Sequence, residues 1–375
     1  MSRPLDGREP LSATEGVDEP VSATDGVDES MSATDGADEL LSATDGADEP
    51  SAADGVDEPV SATDRADEPW GDPADGQGTR SGADRPVPAA LGATEADDEL
   101  RRERVLVARA VDGDRTALEE VVRLIQDPLY RLALRMVWRP ADAEDALQEI
   151  LVRVITRLAT WRAEARLLTW AYRVGVNYLL NLRRQTPQEA RGLSLEEFRE
   201  DLTDGLATAD YAGPEAELLA QEVRLTCSQA MLQCLERTER VAFVLGEIFE
   251  LPSGEAAWIA GTTPAGFRKR LERARRRIRA FMGSTCGLAD PKAFCRCARR
   301  VEKAVAVGRV DPRRPALATH PVAPGGRQLA DTAGQLHRLR DAAAVLRAHP
   351  DYAAPQARTD AVLALLGSGR FPLLD

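Results

Sequence analysis

The sequence is poor in aromatic residues, with Phe, Trp and Tyr at 5% of its 375 positions. It has three histidines, at 320, 337 and 349, and five cysteines. No apolar run approaches the roughly 20 residues needed to cross a bilayer, so membrane insertion is not expected. Ser2 to Pro10 is polar and no apolar core follows, which argues against a secretory signal. An odd number of cysteines in such a chain argues against a disulfide framework, and a reducing cytoplasm is the expected location. No sustained apolar–polar alternation marks a strand. No nucleophile motif, phosphate loop or metalloprotease pattern appears, and every histidine lies near the C-terminus, so an enzyme is not expected.

Charge of both signs is plentiful but segregated. The formal net charge is −14. Residues 1–100 hold 27 Asp and Glu against 5 Lys and Arg, a net of −22, and the remainder is +8. That asymmetry makes nucleic acid a candidate partner. The acidic part is a ten-residue repeat, from LSATEGVDEP at 11–20 to VSATDRADEP at 60–69. Its period fits no heptad or known solenoid unit. With almost no large apolar residues it cannot offset its chain entropy, so 1–98 is expected to be disordered. The DGxDE steps lack the ligand spacing of a calcium loop, and a solvated acidic tail is the simpler reading. At low salt such a tail could compete with DNA for basic surface.

From Glu99 onward the pattern is helical. Apolar residues recur at three- and four-residue steps over 104–111, 114–138, 141–159 and about 167–184, with Asp127-Pro128 expected to kink or split the second helix. Residues 185–213 are polar with Pro187, Gly192, Gly205 and Gly213, a linker signal. A second block follows, with helices from 214, over 237–249, and as a short pair at 253–260 and 264–282. The expected fold is all-α: two small helical domains joined by a flexible linker, with a helical C-terminal extension.

TPAGFRKRLERARRRIRAFM, residues 263–282, carries eight Arg or Lys and one Glu between Arg268 and Arg279. Thr263 suits an N-cap and Pro264 a first helical position. Phe267, Leu271, Ala274, Ile278 and Met282 form one apolar stripe. Glu272 lies four residues from both Arg268 and Arg276, a spacing for a local ion pair. SGEAAWIAGTT just upstream reads as a shorter helix ended at Gly261, which makes the pair a helix-turn-helix. The second helix of that motif places its N-terminal turns at base edges. Here those positions are Thr263, Ala265, Arg268 and Lys269, followed by Arg270, with Arg273 and later arginines better placed for phosphates. A solvated basic face on an ordinary helix is the competing reading.

Residues 141–185 hold a second constellation. Asp142, Glu144, Asp145, Gln148 and Glu149 cluster near a helix N-terminus, where the helix dipole favours acid; a docking face for a basic partner is the alternative. Then Trp161, Arg162, Trp170, Tyr172, Arg173, Asn177, Tyr178, Asn181, Arg183 and Arg184 interleave rings, cations and amides. Such a set suits unstacked single-stranded bases, although Trp170 and Tyr178, eight residues apart, fit a core equally well.

These motifs resemble, in order, those of the extracytoplasmic-function sigma factors of bacterial RNA polymerase. DAEDALQE is similar to the polymerase-docking segment, WRAEARLLTWAYRVGVNYLLNLRR to the promoter-melting and −10 segment, and LERTERVAFVLGEIFELPSGEAAWIAGTTPAGFRKRLERARRRI to the fourth region, which recognises the −35 element. The resemblance spans roughly 100–283. It implies a promoter-melting domain at 99–184, a linker at 185–213 and a −35-reading domain at 214–283, before an extension at 284–375. It implies that Asp142, Asp145, Gln148 and Glu149 meet the clamp helices of the largest catalytic subunit. It implies that Trp161, Arg162, Trp170, Arg173, Asn177, Asn181, Arg183 and Arg184 hold the opened −10 strand, and that Arg268 and Lys269 meet the −35 duplex. Gly266 and Leu168 depart from the family pattern. Core polymerase and promoter DNA are the implied partners, with an anti-sigma protein as a further candidate. A stand-alone helix-turn-helix regulator is the alternative, but it would need no docking face or single-strand platform.

The ends lie outside the resemblance. CGLADPKAFCRC offers Cys286, Cys295 and Cys297. As zinc ligands they would need a fourth, such as His320 or Cys234. As a thiol redox sensor they would rely on Arg296, Arg299 and Arg300 to lower the thiol pKa; unliganded cysteines are the third reading. Residues 328–349 and 356–367 read as two more helices, a built-in regulator or a stabilising appendage.

Overall fold

The computed structural model describes residues 93–182, 193–328 and 342–366, all within one compact unit spanning 67–375. The expectation of a disordered acidic tail and the linker start at 185–192 fall outside these residues, as do Arg183, Arg184 and most of the helix expected at 328–349. Among the described residues the architecture is all-α, with two isolated bridges, Cys286–Cys295 and Val322–Tyr352. No described helix is long and apolar enough to cross a membrane.

The first block is α1 (Ala93–Val111), α2 (Arg115–Val137), α3 (Pro140–Thr156) and α4 (Leu167–Leu180). Asp114 caps α2 by accepting the Thr116 and Ala117 amide protons, satisfying donors that a helix start leaves orphaned. Pro128 does not split α2, which runs unbroken through it. The amide that proline removes there costs one ladder bond, and Asp127 beside it accepts the Ala354 N–H of the C-terminal segment at 2.8 Å. The position thus serves as an attachment point. Two acids of α1 fix the start of α4: Glu103 pairs with Arg166 and accepts the Leu167 amide proton at 2.9 Å, and Glu99 pairs with Arg166 at 2.9 Å.

The second block is α5 (Leu195–Thr203), α6 (Ala216–Gln233), α7 (Arg237–Phe243) continued by a π-helical turn at Val244–Ile248, α8 (Ser253–Ile259) and α9 (Pro264–Thr285). Helix α5 lies in the expected linker. It is closed by a Ser194–Glu197 capping box and buries Phe198 and Leu202. The rest of that segment is tied down as well: Arg299, Lys303 and Arg309 pair with Asp210, Asp204 and Asp201. Residues 193–213 are therefore an anchored connection rather than a bare tether.

The two blocks share one continuous apolar core, and the end of α2 shows how they are joined. The last carbonyls of a helix have no intrahelical partner. Here Gln229 donates to the Leu134 carbonyl at 3.3 Å and Gln233 to that of Arg135 at 3.4 Å. Arg240 donates to the Met136 carbonyl at 2.7 Å and to the Leu232, Gln233 and Leu235 carbonyls. Arg240 is 1% exposed. A buried guanidinium is tolerable where its donors are filled and the negative end of a helix dipole faces it.

The C-terminal extension adds α10 (Cys297–Ala306), α11 (Ala342–Arg347) and α12 (Gln356–Leu366). Helix α10 packs on α6 through Leu219, Val223, Val301 and Ala304. Beyond it, buried Glu222 accepts the Leu317 and Ala318 amide protons, His320 stacks on Tyr130 at 5.2 Å, and Asp351 pairs with Arg131 and Arg327. The extension is built onto both blocks.

Candidate polymerase and nucleic-acid interfaces

The acidic face of α3 begins at Pro140, which starts the helix with no side-chain cap. Asp142 lies in the first turn, and Ala143, Ala146, Leu147 and Ile150 turn inward. Asp145 and Glu149 are exposed; Asp142 and Gln148 are half-buried. Glu149 pairs with Arg153 at 2.5 Å, and the Arg153 guanidinium lies over the Tyr178 ring at 4.5 Å. The rest of the face is engaged from far along the chain. Arg358 of α12 pairs with Asp145 at 2.9 Å and Glu144 at 3.4 Å, and donates to the Gln148 amide oxygen at 3.4 Å. Sequence reasoning gave no signal for Arg358, because the contact joins residues more than 200 positions apart.

The aromatic set around α4 divides. Trp161 and Trp170 are buried, which for Trp170 is the core alternative and for Trp161 goes against an exposed stacking face. Trp161 is 9% exposed and its indole N–H donates to the Ala165 carbonyl at 3.1 Å; Trp170 is 7% exposed. Arg162, Asn177, Asn181 and Arg173 keep exposed or half-buried positions, with the Asn181 amide donating to the Asn177 carbonyl. Arg162 lines a groove of ≈ 400 Å³ with Arg104, Val107 and Trp161. The α4 face is also met by the second block. Arg173 lies over the Trp258 ring at 4.6 Å, Thr169 donates to Glu255 at 2.6 Å, and Tyr172 packs on Phe249.

Helices α8 and α9 form the expected helix-turn-helix, with Gly261 at φ 61° in the turn, a backbone region glycine enters without Cβ strain. Thr263 caps α9 by accepting the Gly266 amide proton at 3.1 Å. A Cβ at 266 would come within 3.1 Å of the Thr262 and Thr263 hydroxyls, which gives the family departure a local reason. Thr263, Ala265, Arg268 and Lys269 are exposed, and Arg270 half-buried. Arg268 and Lys269 make no ion pair among the described residues, and neither does Glu272, despite its spacing from Arg268 and Arg276. The middle of the helix differs. Arg273 and Arg277 both pair with Glu239, at 3.0 and 2.8 Å, and Arg275 pairs with Glu247, which also binds Arg347 at 3.0 Å. Glu239 and Glu247 are buried, so Arg273 ties α9 to α7 through its Nε, while its side chain stays 43% exposed. The GEIFE and LERTER stretches hold these acids, but nothing local marks them as partners for a helix about 30 residues on.

The cysteine segment is a folded knuckle. The Gly287 N–H donates to the Cys295 carbonyl and the Cys295 N–H to that of Thr285, both at 3.0 Å. No group of three His, Cys, Asp or Glu side chains among the described residues could hold a metal ion, which corrects the candidate zinc set of Cys286, Cys295 and Cys297. Burial works against the thiolate that the redox reading needs. Burial pushes the Cys295 thiol up to about 11 and Cys297 up to about 12, and Cys286 rises for the same cause. Arg300 and Arg296 lower the Cys295 thiol, and Arg296 that of Cys286, as expected, but burial outweighs them; Arg299 is paired with Asp210. Thiols that stay protonated are poor nucleophiles.

Comparison with known proteins matches this arrangement. Residues 121–187, from α2 through the end of α4, match the Sigma-70 region 2 family. The chain is 28% identical over 182 residues to the RNA polymerase sigma-H factor of Pseudomonas aeruginosa, covering 47% of this chain and 92% of that protein. It is 29% identical over 185 residues to the ECF RNA polymerase sigma-E factor of Escherichia coli K12, covering 48% of this chain and 94% of that one. The sigma-E factor of Salmonella typhimurium LT2 matches to the same extent. The acidic face of α3, the α4 face and the helix-turn-helix thus follow in that order on one all-α body, in a chain that carries a Sigma-70 region 2 and is similar over this stretch to RNA polymerase sigma factors, including those of the extracytoplasmic-function type.

Proposed function

We propose that this chain docks on core RNA polymerase through the acidic face of α3, reads −35 duplex DNA with the first turns of α9, and holds the opened −10 strand along α4. Thr263, Ala265, Arg268 and Lys269 sit at the N-terminal end of a recognition helix, the end that reaches base edges in the major groove. Arg270, Arg276 and Arg279 then follow the phosphates, and their contribution falls with salt. Arg162, Arg173, Asn177 and Asn181 supply cations and amides to the non-duplex strand, and the groove beside Arg162 offers a concave seat for an unstacked base. Asp142, Asp145, Gln148 and Glu149 face the basic partner surface.

One observation carries the reading: on a helix where three other arginines are paired with buried acids, Arg268 and Lys269 stand exposed and, among the described residues, without an ion pair beside a Thr-capped start. Because Arg173 lies over Trp258 and Thr169 bonds Glu255, strand capture requires α8 to leave α4. Permanganate footprinting of a cognate promoter with core polymerase tests this. Thymines near −10 should become reactive with the wild-type protein and lose that reactivity with Arg173→Ala/Asn177→Ala; equal reactivity in both would reject the α4 assignment.

A further inference from the structure

The described C-terminal segment runs from the second block to the first. Arg347 of α11 pairs with Glu247 at 3.0 Å, Asp351 pairs with Arg131, and the Ala354 N–H is held by Asp127. Helix α12 then lies on α3 and α2, with Val362 fully buried. Its Arg358 reaches Glu144, Asp145 and Gln148 together. Asp145 and Gln148 are two of the four side chains assigned above to polymerase docking.

We infer that α12 is an intramolecular occupant of the polymerase-docking face, with Arg358 standing in for a basic group of the polymerase. The inference rests on the docking reading of α3. Its chemistry is complementary: a single fork-shaped guanidinium satisfies two carboxylates and an amide oxygen, the arrangement for which arginine is suited. Its strength is also suitable for release. Arg358 and Asp145 remain substantially solvent-exposed, and exposed pairs contribute little individually. The contact holds α12 in place without making it irreversible. A larger polymerase surface that engages Asp142 and Glu149 as well can displace it. The extension is thus a mask in cis, and the free chain samples a docking-competent state only in part.

The full-length chain tests this through its affinity for core polymerase. Arg358→Glu places like charge against Glu144 and Asp145. It should tighten the apparent Kd about tenfold, the gain when a competent population of about one in ten becomes nearly complete. Val362→Asp, which lifts the same helix by a different route, should act in the same direction, and Arg358→Lys should stay within about twofold of wild type. Amide exchange of residues 356–366 should be slow in the free wild-type chain and fast in its complex with core. If Arg358→Glu folds normally and binds core no more tightly, or if residues 356–366 stay protected in the complex, the mask is overturned. Glu149→Arg separates the two claims. Glu149 does not touch Arg358, so loss of core binding in that variant upholds the docking face whatever α12 does. Wild-type binding by Glu149→Arg would reject the docking face itself.

Discussion

Helix α9 divides into two regions of similar charge and opposite use. Its first turns, 263–270, present Arg268 and Lys269 to solvent with no ion pair among the described residues. Its middle, 273–277, spends three arginines on Glu239 and Glu247, both buried. The difference shows that the number of basic residues on a helix does not measure its capacity for nucleic acid. What decides is which side chains face buried acids of the same protein. A carboxylate withdrawn from water must be paired, so Glu239 and Glu247 claim the arginines that face them.

Four substitutions test that division, in order of expected effect. Arg273→Ala with Arg277→Ala strips Glu239 of both its cations. It should cost about 3 kcal/mol of folding stability in urea titration, the usual consequence of leaving a buried charge unpaired; a loss under 1 kcal/mol would mean that the middle of α9 is not pinned. Arg268→Ala with Lys269→Ala should leave stability within about 0.5 kcal/mol. It should weaken binding to −35 duplex by roughly 30-fold and relax the preference among −35 sequences. If the two double variants had equal effects on DNA binding, the distinction between the regions would collapse.

The third test concerns the extension that helps pin the helix through Arg347. His349 is buried against Ser228 and Tyr352. Burial, followed by the nearby charges of Arg135, Arg224 and Arg327, holds its pKa well below the usual histidine value. The unfolded chain takes up a proton near pH 6.5 while the folded chain does not. Stability from neutral His349 is therefore complete above about pH 6.5 and is lost as pH falls toward the folded pKa, at up to about 1.4 kcal/mol per unit. His349→Gln should flatten the fall in Tm between pH 6.5 and 5. An unchanged slope would remove His349 from the account. The smallest effect belongs to Thr263→Ala. It removes the α9 cap, should cost about 1 kcal/mol, and should reduce −35 affinity only to the extent that the first turn frays.

Much of α9 could be read from the sequence because its signals are local: a Thr-Pro start, an apolar residue at every third or fourth step, and a glycine-turned helix before it. The acids of α3 were equally visible for the same reason. What the sequence concealed was long-range. Pro128 looked like a break because a proline rule acts on one helix, whereas α2 is held along its length by α1, α3 and α4. Trp161 and Trp170 looked like base platforms because aromatic residues interleaved with cations are ambiguous until burial is known. Glu239, Glu247 and Arg358 were invisible as partners, since charge pairs between distant helices leave no periodic trace. The cysteines clustered in sequence, but the burial that raises their thiols comes from distant packing and leaves no local trace.

Run-off transcription with purified core polymerase and the full-length chain tests the central claim most directly. Across fragments of the host genome, the account predicts specific initiation at a defined set of promoters that share a −35 element, abolished by Arg268→Ala/Lys269→Ala and preserved by Glu272→Ala. Failure to stimulate initiation at any promoter, or stimulation indifferent to Arg268 and Lys269, would contradict it.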